Sequence, residues 1–155
     1  MEADEALAQH LAALYAPNAW LFTWHGSVRT DNLFETVEAW LESLGVRPAS
    51  WREAGGEPQL RCQLHEVDEA DAVSTIAFMT SVSQAYGVPG PLSAQQAMAF
   101  AEGLPKLIGN LNPRWWSNTD SQLTGWYPVT QHTFDAIVIG HSDELSASIL
   151  AIDED

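Results

Sequence analysis

The sequence predicts an α+β fold, in which N-terminal helices pack on an antiparallel sheet that includes a C-terminal β-hairpin. Amphipathic helical patterns concentrate in the N-terminal part of the chain. Short runs typical of strands concentrate toward its C-terminal end, and this segregation favours α+β over alternating α/β. Because 155 residues are the usual length of one domain and no linker divides them, we expect a single domain over residues 1–155.

Four stretches have the 3.6-residue periodicity of helices. The first, residues 3–15, ends before Pro17 and has an apolar face of Leu7, Leu11, Leu14 and Tyr15. The second, residues 32–44, lies between a capping Asp31 and Gly45, and its apolar stripe is Leu33, Val37, Trp40, Leu41 and Leu44. The third, residues 68–87, begins at Asp68 and ends at Gly87. The fourth opens with the capping-box pattern Ser93-x-x-Gln96.

Four other stretches are typical of strands. Residues 19–24 (AWLFTW) are short and aromatic, and residues 59–67 (QLRCQLHEV) alternate between apolar and polar. This alternation predicts that Cys62 is a small core residue beside Leu60 and Leu64 rather than a nucleophile paired with His65. Residues 133–139 and 145–152 are apolar runs joined by GHSDE, which predicts the C-terminal hairpin.

Residues 112–128 (NPRWWSNTDSQLTGWYP) combine large aromatic rings with the residues of turns. Pro113, Gly125 and Pro128 argue against a continuous central strand or helix. Trp115 and Trp116 are adjacent and face opposite ways in an extended chain, so we expect one inside and one near the surface. We predict that Trp115, Trp116 and Trp126 form an aromatic anchor for a protein partner, with Asp120 at its rim. The alternative is that the rings cover a small sheet.

The chain is strongly acidic, with 21 Asp and Glu against six Lys and Arg and a net charge of −15. Such a protein repels nucleic acid and anionic membranes, so we expect neither as a direct partner. It is attracted to a basic protein, although a net negative charge also serves solubility. One cysteine, an acidic N-terminus without a signal core and no membrane-length apolar run predict a cytoplasmic protein.

The carboxylates form three groups, and we predict that the first two bind a partner. Glu35, Glu38 and Glu42 follow a helical spacing opposite the apolar stripe of the second helix. Glu66, Asp68, Glu69 and Asp71 surround a strand-to-helix junction, and Asp153, Glu154 and Asp155 form a short acidic tail. The alternatives are a solvated helix face, a helix N-terminus that favours negative charge, and a solubilising tail.

Motifs for catalysis, metal binding and phosphate binding are missing from the sequence. The five histidines have no metal-ligand spacing, and there is no nucleophile elbow, P-loop or dinucleotide fingerprint. We therefore predict no enzyme, no catalytic residues, no metal and no cofactor. The main alternative is a small hydrolase that uses carboxylates and a histidine such as His132 or His65.

The C-terminal third resembles certain bacterial immunity proteins, which neutralise the toxic domains of polymorphic or contact-dependent toxins. The resemblance covers residues 112–155 and rests on Trp126-Tyr-Pro-Val-Thr130, Thr133-Phe-Asp135, the hairpin and the acidic tail. It implies a cytoplasmic inhibitor that binds one cognate toxin, and it transfers no residue roles.

An acidic inhibitor fits a basic toxin, and a nuclease is the expected activity because nucleases gather phosphates with Lys and Arg. A nucleic-acid mimic acting on DNA-binding proteins is a further alternative. The oligomeric state is left open.

Overall fold

A computed structural model describes residues 2–15, 20–53, 59–83, 89–109, 112–120, 127–132 and 134–153. The strands are β1 Leu21–Gly26, β2 His65–Val67, β3 Arg114–Ser117, β4 Phe134–His141 and β5 Ser146–Asp153. The helices are α1 Ala3–Leu11, α2 Leu33–Ser43, α3 Ser50–Glu53, α4 Gln59–Gln63, α5 Glu69–Ser81 and α6 Ala94–Ile108, with 3-10 turns at Ala12–Leu14 and Thr30–Asn32. The strands form one antiparallel sheet in the order β1-β5-β4-β3-β2, which confirms the α+β prediction and the C-terminal β4–β5 hairpin.

Helices cover both faces of this sheet and create two cores. On one face, α1, α5 and α6 pack against Val138, Ile149 and Trp115. On the other face, α2 and α4 pack against Ile137, Ile139 and Trp116. Since β4 is buried on both sides, its sequence is a continuous apolar run rather than an alternation.

The two adjacent tryptophans are both buried, so the prediction that one of them stays near the surface is wrong. Trp115 is 1% exposed in the first core and Trp116 is 8% exposed in the second, because neighbouring side chains on a strand point to opposite faces. Trp115 lies directly across from Gly140, and a Cβ on that glycine would come within 2.5 Å of the indole. The missing side chain therefore makes room for the ring.

The tryptophan-rich segment also contains a short strand that the sequence did not predict, although no continuous strand runs through its described residues. Arg114–Ser117 is an inner strand between β2 and β4. Pro113 lies immediately before it, where its missing N–H does not interrupt the ladder.

Local end signals position three helices as predicted. The Asp68 carboxylate accepts a hydrogen bond from the Asp71 N–H at 2.8 Å, and Ser93 and Gln96 form a complete capping box. Gly45 has a φ of 75° just after α2, where residues with a side chain are strained. It closes a Schellman-type end in which the Gly45 and Val46 N–H groups donate to carbonyls of the last turn.

Other boundary predictions need correction. Asp31 does not cap α2, because the chain first makes a 3-10 turn and Asn32 occupies the N-cap position without a side-chain bond. Tyr15 is 85% exposed, since α1 tightens into a 3-10 turn after Leu11 and the ring leaves the apolar face. Helix α5 ends at Ser81, and the predicted stop at Gly87 lies outside the described residues.

Residues 59–67 are only partly the predicted strand. Residues 59–63 form α4, and the strand is limited to His65–Val67. Cys62 is exposed on α4, so the prediction that it is a core residue is wrong. Among the described residues, no helix is both long and apolar enough to cross a lipid bilayer.

Candidate functional site

An acidic groove of about 450 Å³ lies beside β2, which is one of the two edge strands of the described sheet. We use this name for the cavity whose lining carboxylates are Glu66, Asp68, Asp71 and Asp120. The antiparallel pairing of β2 with β3 brings Asp120, which follows β3, next to the junction between β2 and α5. Four predicted binding residues from two distant segments therefore meet at one concave surface.

One carboxylate of the groove, that of Glu66, is paired with an arginine. Glu66 accepts two hydrogen bonds from Arg114, at 2.8 Å from Nη2 and 3.1 Å from Nε. These bonds lower the pKa of Glu66, so the side chain stays ionised and paired. The three aspartates of the groove are all exposed, so they also present negative charge at this surface.

The first turn of α5 explains why acidic residues accumulate at this place. Asp68 caps the helix, and Glu69 and Asp71 lie in its first turn near the positive end of the helix dipole. Glu69 is exposed but does not line the groove. These side chains thus stabilise the helix end and also leave their negative charge facing solvent.

Two of the three tryptophans that we predicted as an aromatic anchor are not at the surface. Trp115 and Trp116 belong to the two cores, and Trp126 lies outside the described residues. An exposed ring is found instead at Tyr127, whose side chain is 66% accessible. Its backbone N–H donates to the Asn118 carbonyl, two residues before Asp120, so this ring belongs to the same end of the molecule as the groove.

The three glutamates of α2 do not form one exposed face. Glu35 is exposed and Glu42 is half-buried, but Glu38 is 0% exposed, so its prediction as a surface residue is wrong. Its carboxylate lies 2.9 Å from the guanidinium of Arg47, which is also fully buried. Glu38 can lie in the interior because the guanidinium of Arg47 pairs with its carboxylate there.

The motif that carries the family resemblance has a structural role in its described part. The buried Asp135 carboxylate accepts hydrogen bonds from the Val129 and Thr130 N–H groups, the Thr130 hydroxyl and the Asn118 amide. Burial raises the pKa of Asp135, whereas these donors act in the opposite direction. The network fixes residues 127–130 against the end of β3. Trp126 and Thr133 lie outside the described residues.

The histidines named for the hydrolase alternative are separate from each other. His65 is exposed and lines the acidic groove, whereas His132 is half-buried in the turn after Thr130 and lines no part of that groove. Within the described ranges, no group of three or more His, Cys, Asp or Glu side chains has the arrangement to hold a metal ion.

A second cavity was not predicted from the sequence. It is lined by Arg29, Arg61 and Arg114, which come from three segments far apart in the chain. An isolated arginine has no local signal that tells which distant residues the fold will place beside it. The sequence shows that basic residues are scarce, but not that three of them meet at one cavity.

Comparison with protein-family models, with curated proteins and with solved structures gives no match to this chain.

Proposed function

We propose that this chain is a cytoplasmic immunity protein that binds and neutralises a basic cognate toxin, with a nuclease as the expected toxin. The observation that carries the proposal is the acidic groove at the sheet edge in a protein of net charge −15. A basic partner is steered to such a surface by the summed field, and its Lys and Arg side chains find carboxylates in a concave site. The resemblance of residues 112–155 to immunity proteins points in the same direction.

The contact surface we propose is centred on Asp68, Asp71 and Asp120, with Tyr127 as the aromatic contact. Tyrosine offers a large apolar face and a polar tip, which is the combination found at binding hot spots. Glu66 contributes less because Arg114 already neutralises it. Trp115, Trp116 and Glu38 are interior and take no direct part.

The first test is protection and co-purification. The chain is expressed with the product of the gene next to its own, and growth of the cells and recovery of the complex are measured. We expect the chain to protect the cells and to co-purify with a basic toxin. A neighbour that is not a secreted toxin, or cells that die despite the chain, would refute the proposal.

The second test maps the surface with charge-matched variants. Asp68→Asn, Asp71→Asn and Asp120→Asn together remove three charges from the groove, and asparagine at position 68 keeps the helix cap. The control replaces three exposed carboxylates elsewhere, Glu2, Glu5 and Glu102, by glutamine. We expect the association rate to fall at least about tenfold more in the groove variant, since local field and not net charge guides docking. Equal losses in the two variants would remove the groove from the proposal.

The hydrolase alternative is kept because His65 lines the same groove as Asp68 and Asp71. It predicts that His65→Ala abolishes a turnover without unfolding the chain. The immunity proposal predicts that this variant still protects cells against the toxin.

A further inference from the structure

We propose that a cleft on the α2 side of the sheet binds a small organic monocarboxylate. The cleft has a volume of about 780 Å³, which is within the usual range of small-molecule sites. It is lined by Arg29, by Thr30 and Asp31 of the following 3-10 turn, by Arg61 on α4 and by Arg114 on β3. The remaining lining residues are Ser27, Val28, Phe34, Trp116 and Asp143.

The cleft concentrates the positive charge of the chain. Only six lysines and arginines occur in the sequence, and three of them line this one cavity. Arg47 is buried against Glu38, and Lys106 lies on α6 in the opposite layer. Half of the basic residues of a protein of net charge −15 therefore line a single cavity.

Two of the arginines are positioned by aromatic rings. The Arg61 guanidinium carbon lies 5.3 Å from the centre of the Phe34 ring, and that of Arg114 lies 4.9 Å from the Trp116 ring. Phe34 and Trp116 meet edge to face at 5.3 Å. Because cation–π contact uses the face of a guanidinium, its N–H edge stays available to a carboxylate.

One arginine of the cleft, Arg61, is left to bind a single negative charge on the ligand. Asp31 and Asp143 also line the cleft, and Glu66 pairs with Arg114, so the charges of the three arginines are balanced overall. Arg29 lies 3.6 Å from Asp31, and Arg114 uses two of its five N–H donors on Glu66. Arg61 makes no ion pair with a described carboxylate, so it is the main anchor. A planar carboxylate matches its fork of donors.

Hydrogen bonds to the sheet hold the 3-10 turn that lines the cleft. The Thr30 hydroxyl lies 2.8 Å from Nε2 of His141, and Nδ1 of the same ring lies 2.6 Å from the Ser146 hydroxyl. His141 is 4% exposed, and its ring therefore ties the turn that carries Arg29 to the β4–β5 hairpin. The cleft is consequently a formed site, and binding requires little ordering of this turn.

The experiment compares two ligands of equal shape and different charge. Benzoate and neutral benzamide are titrated into the full chain, and the Nε–Hε resonances of the arginines are followed by NMR. We expect benzoate at millimolar concentration to shift the Arg61 and Arg29 resonances and benzamide to leave them unchanged. No shift with benzoate, or equal shifts with both ligands, would overturn the proposal.

Charge-matched variants locate the binding site. Arg61→Gln and, separately, Arg29→Gln remove one charge from the cleft, and Lys106→Gln removes the same charge from α6. We expect Arg61→Gln to weaken benzoate binding about tenfold, because it removes charge-assisted hydrogen bonds. Arg29 is an exposed surface residue and provides a second variant that preserves the fold. Equal weakening by Lys106→Gln would show a general charge effect and refute the site.

Discussion

Replacing Glu38 by glutamine removes one charge from a pair that is completely buried. The Glu38 and Arg47 side chains are both 0% accessible, and their closest atoms are 2.9 Å apart. Arg47 also donates to the Val129 carbonyl and the Gln63 amide, each at 2.8 Å. The variant keeps the shape of the side chain but removes the negative charge of Glu38 from the buried guanidinium.

The expected cost follows from that geometry. Removing one partner of a buried ion pair costs about 3–5 kcal/mol, because the remaining charge loses the attraction that offset its desolvation. A typical domain is stable by about 5–15 kcal/mol, so Glu38→Gln removes a large part of the free energy of unfolding. Glu35→Gln on the same helix is exposed and should cost less than about 1 kcal/mol.

Urea unfolding of four proteins tests this reasoning: the wild type, Glu38→Gln, Arg47→Met and the double variant. We expect the double variant to lose only about 1–3 kcal/mol, mainly from the acceptors that Arg47 leaves unsatisfied. This loss is far below the sum of the single losses, so the double-mutant cycle should show strong coupling. Additive losses, or a Glu38→Gln variant as stable as Glu35→Gln, would refute the argument.

Three further predictions concern the fold. Ser93→Ala should lower the free energy of unfolding by about 1 kcal/mol in denaturant titrations, because it removes the α6 capping box, while the exposed Gln95→Ala should have little effect. Gly140→Ala should cost about 1–3 kcal/mol and broaden the Trp115 signals in NMR spectra, since the new methyl group meets the indole; an unchanged stability would contradict the packing. Burial lowers the pKa of His141 in the folded protein, so as the pH falls the unfolded chain takes up this proton before the folded chain does. The free energy of unfolding should therefore decline below the ordinary histidine pKa of about 6.5, and it should decline less in His141→Gln. Parallel pH profiles of the two proteins would contradict that assignment.

Local chemistry was predictable from the sequence where a few neighbouring residues determine the outcome. The Asp68 cap, the Ser93–Gln96 box and the Gly45 helix end each depend on contacts within about one turn, and all three are confirmed. The C-terminal hairpin is confirmed for the same reason, because its two apolar runs are separated by a short polar connection.

The sequence predictions are wrong where contacts between residues far apart in the chain determine the structure. Leu60 and Leu64 are four residues apart, a spacing that fits one face of a strand and one face of a helix equally well. In the structure, residues 59–63 form a short helix. Glu38 was buried by Arg47, a partner beyond the end of its helix. The expectation for Trp115 and Trp116 assumed a single core, whereas the sheet is covered on both sides.

The candidate site was predictable in its charge but not in its shape. The sequence predicted Asp68, Asp71 and Asp120 as binding residues, and antiparallel pairing of β2 with β3 brings them to one groove. The arginine cleft depends on three segments that only the complete fold brings together.

The order of strands in the sheet has a consequence for biosynthesis. Leu21, near the start of the chain, pairs with Ala151, and the β4–β5 hairpin occupies the middle of the sheet. A nascent chain on the ribosome therefore carries β1 as an unpaired apolar strand until residue 153 has emerged. Long-range pairing of this kind slows folding, so chaperone assistance during synthesis should raise the yield of native protein.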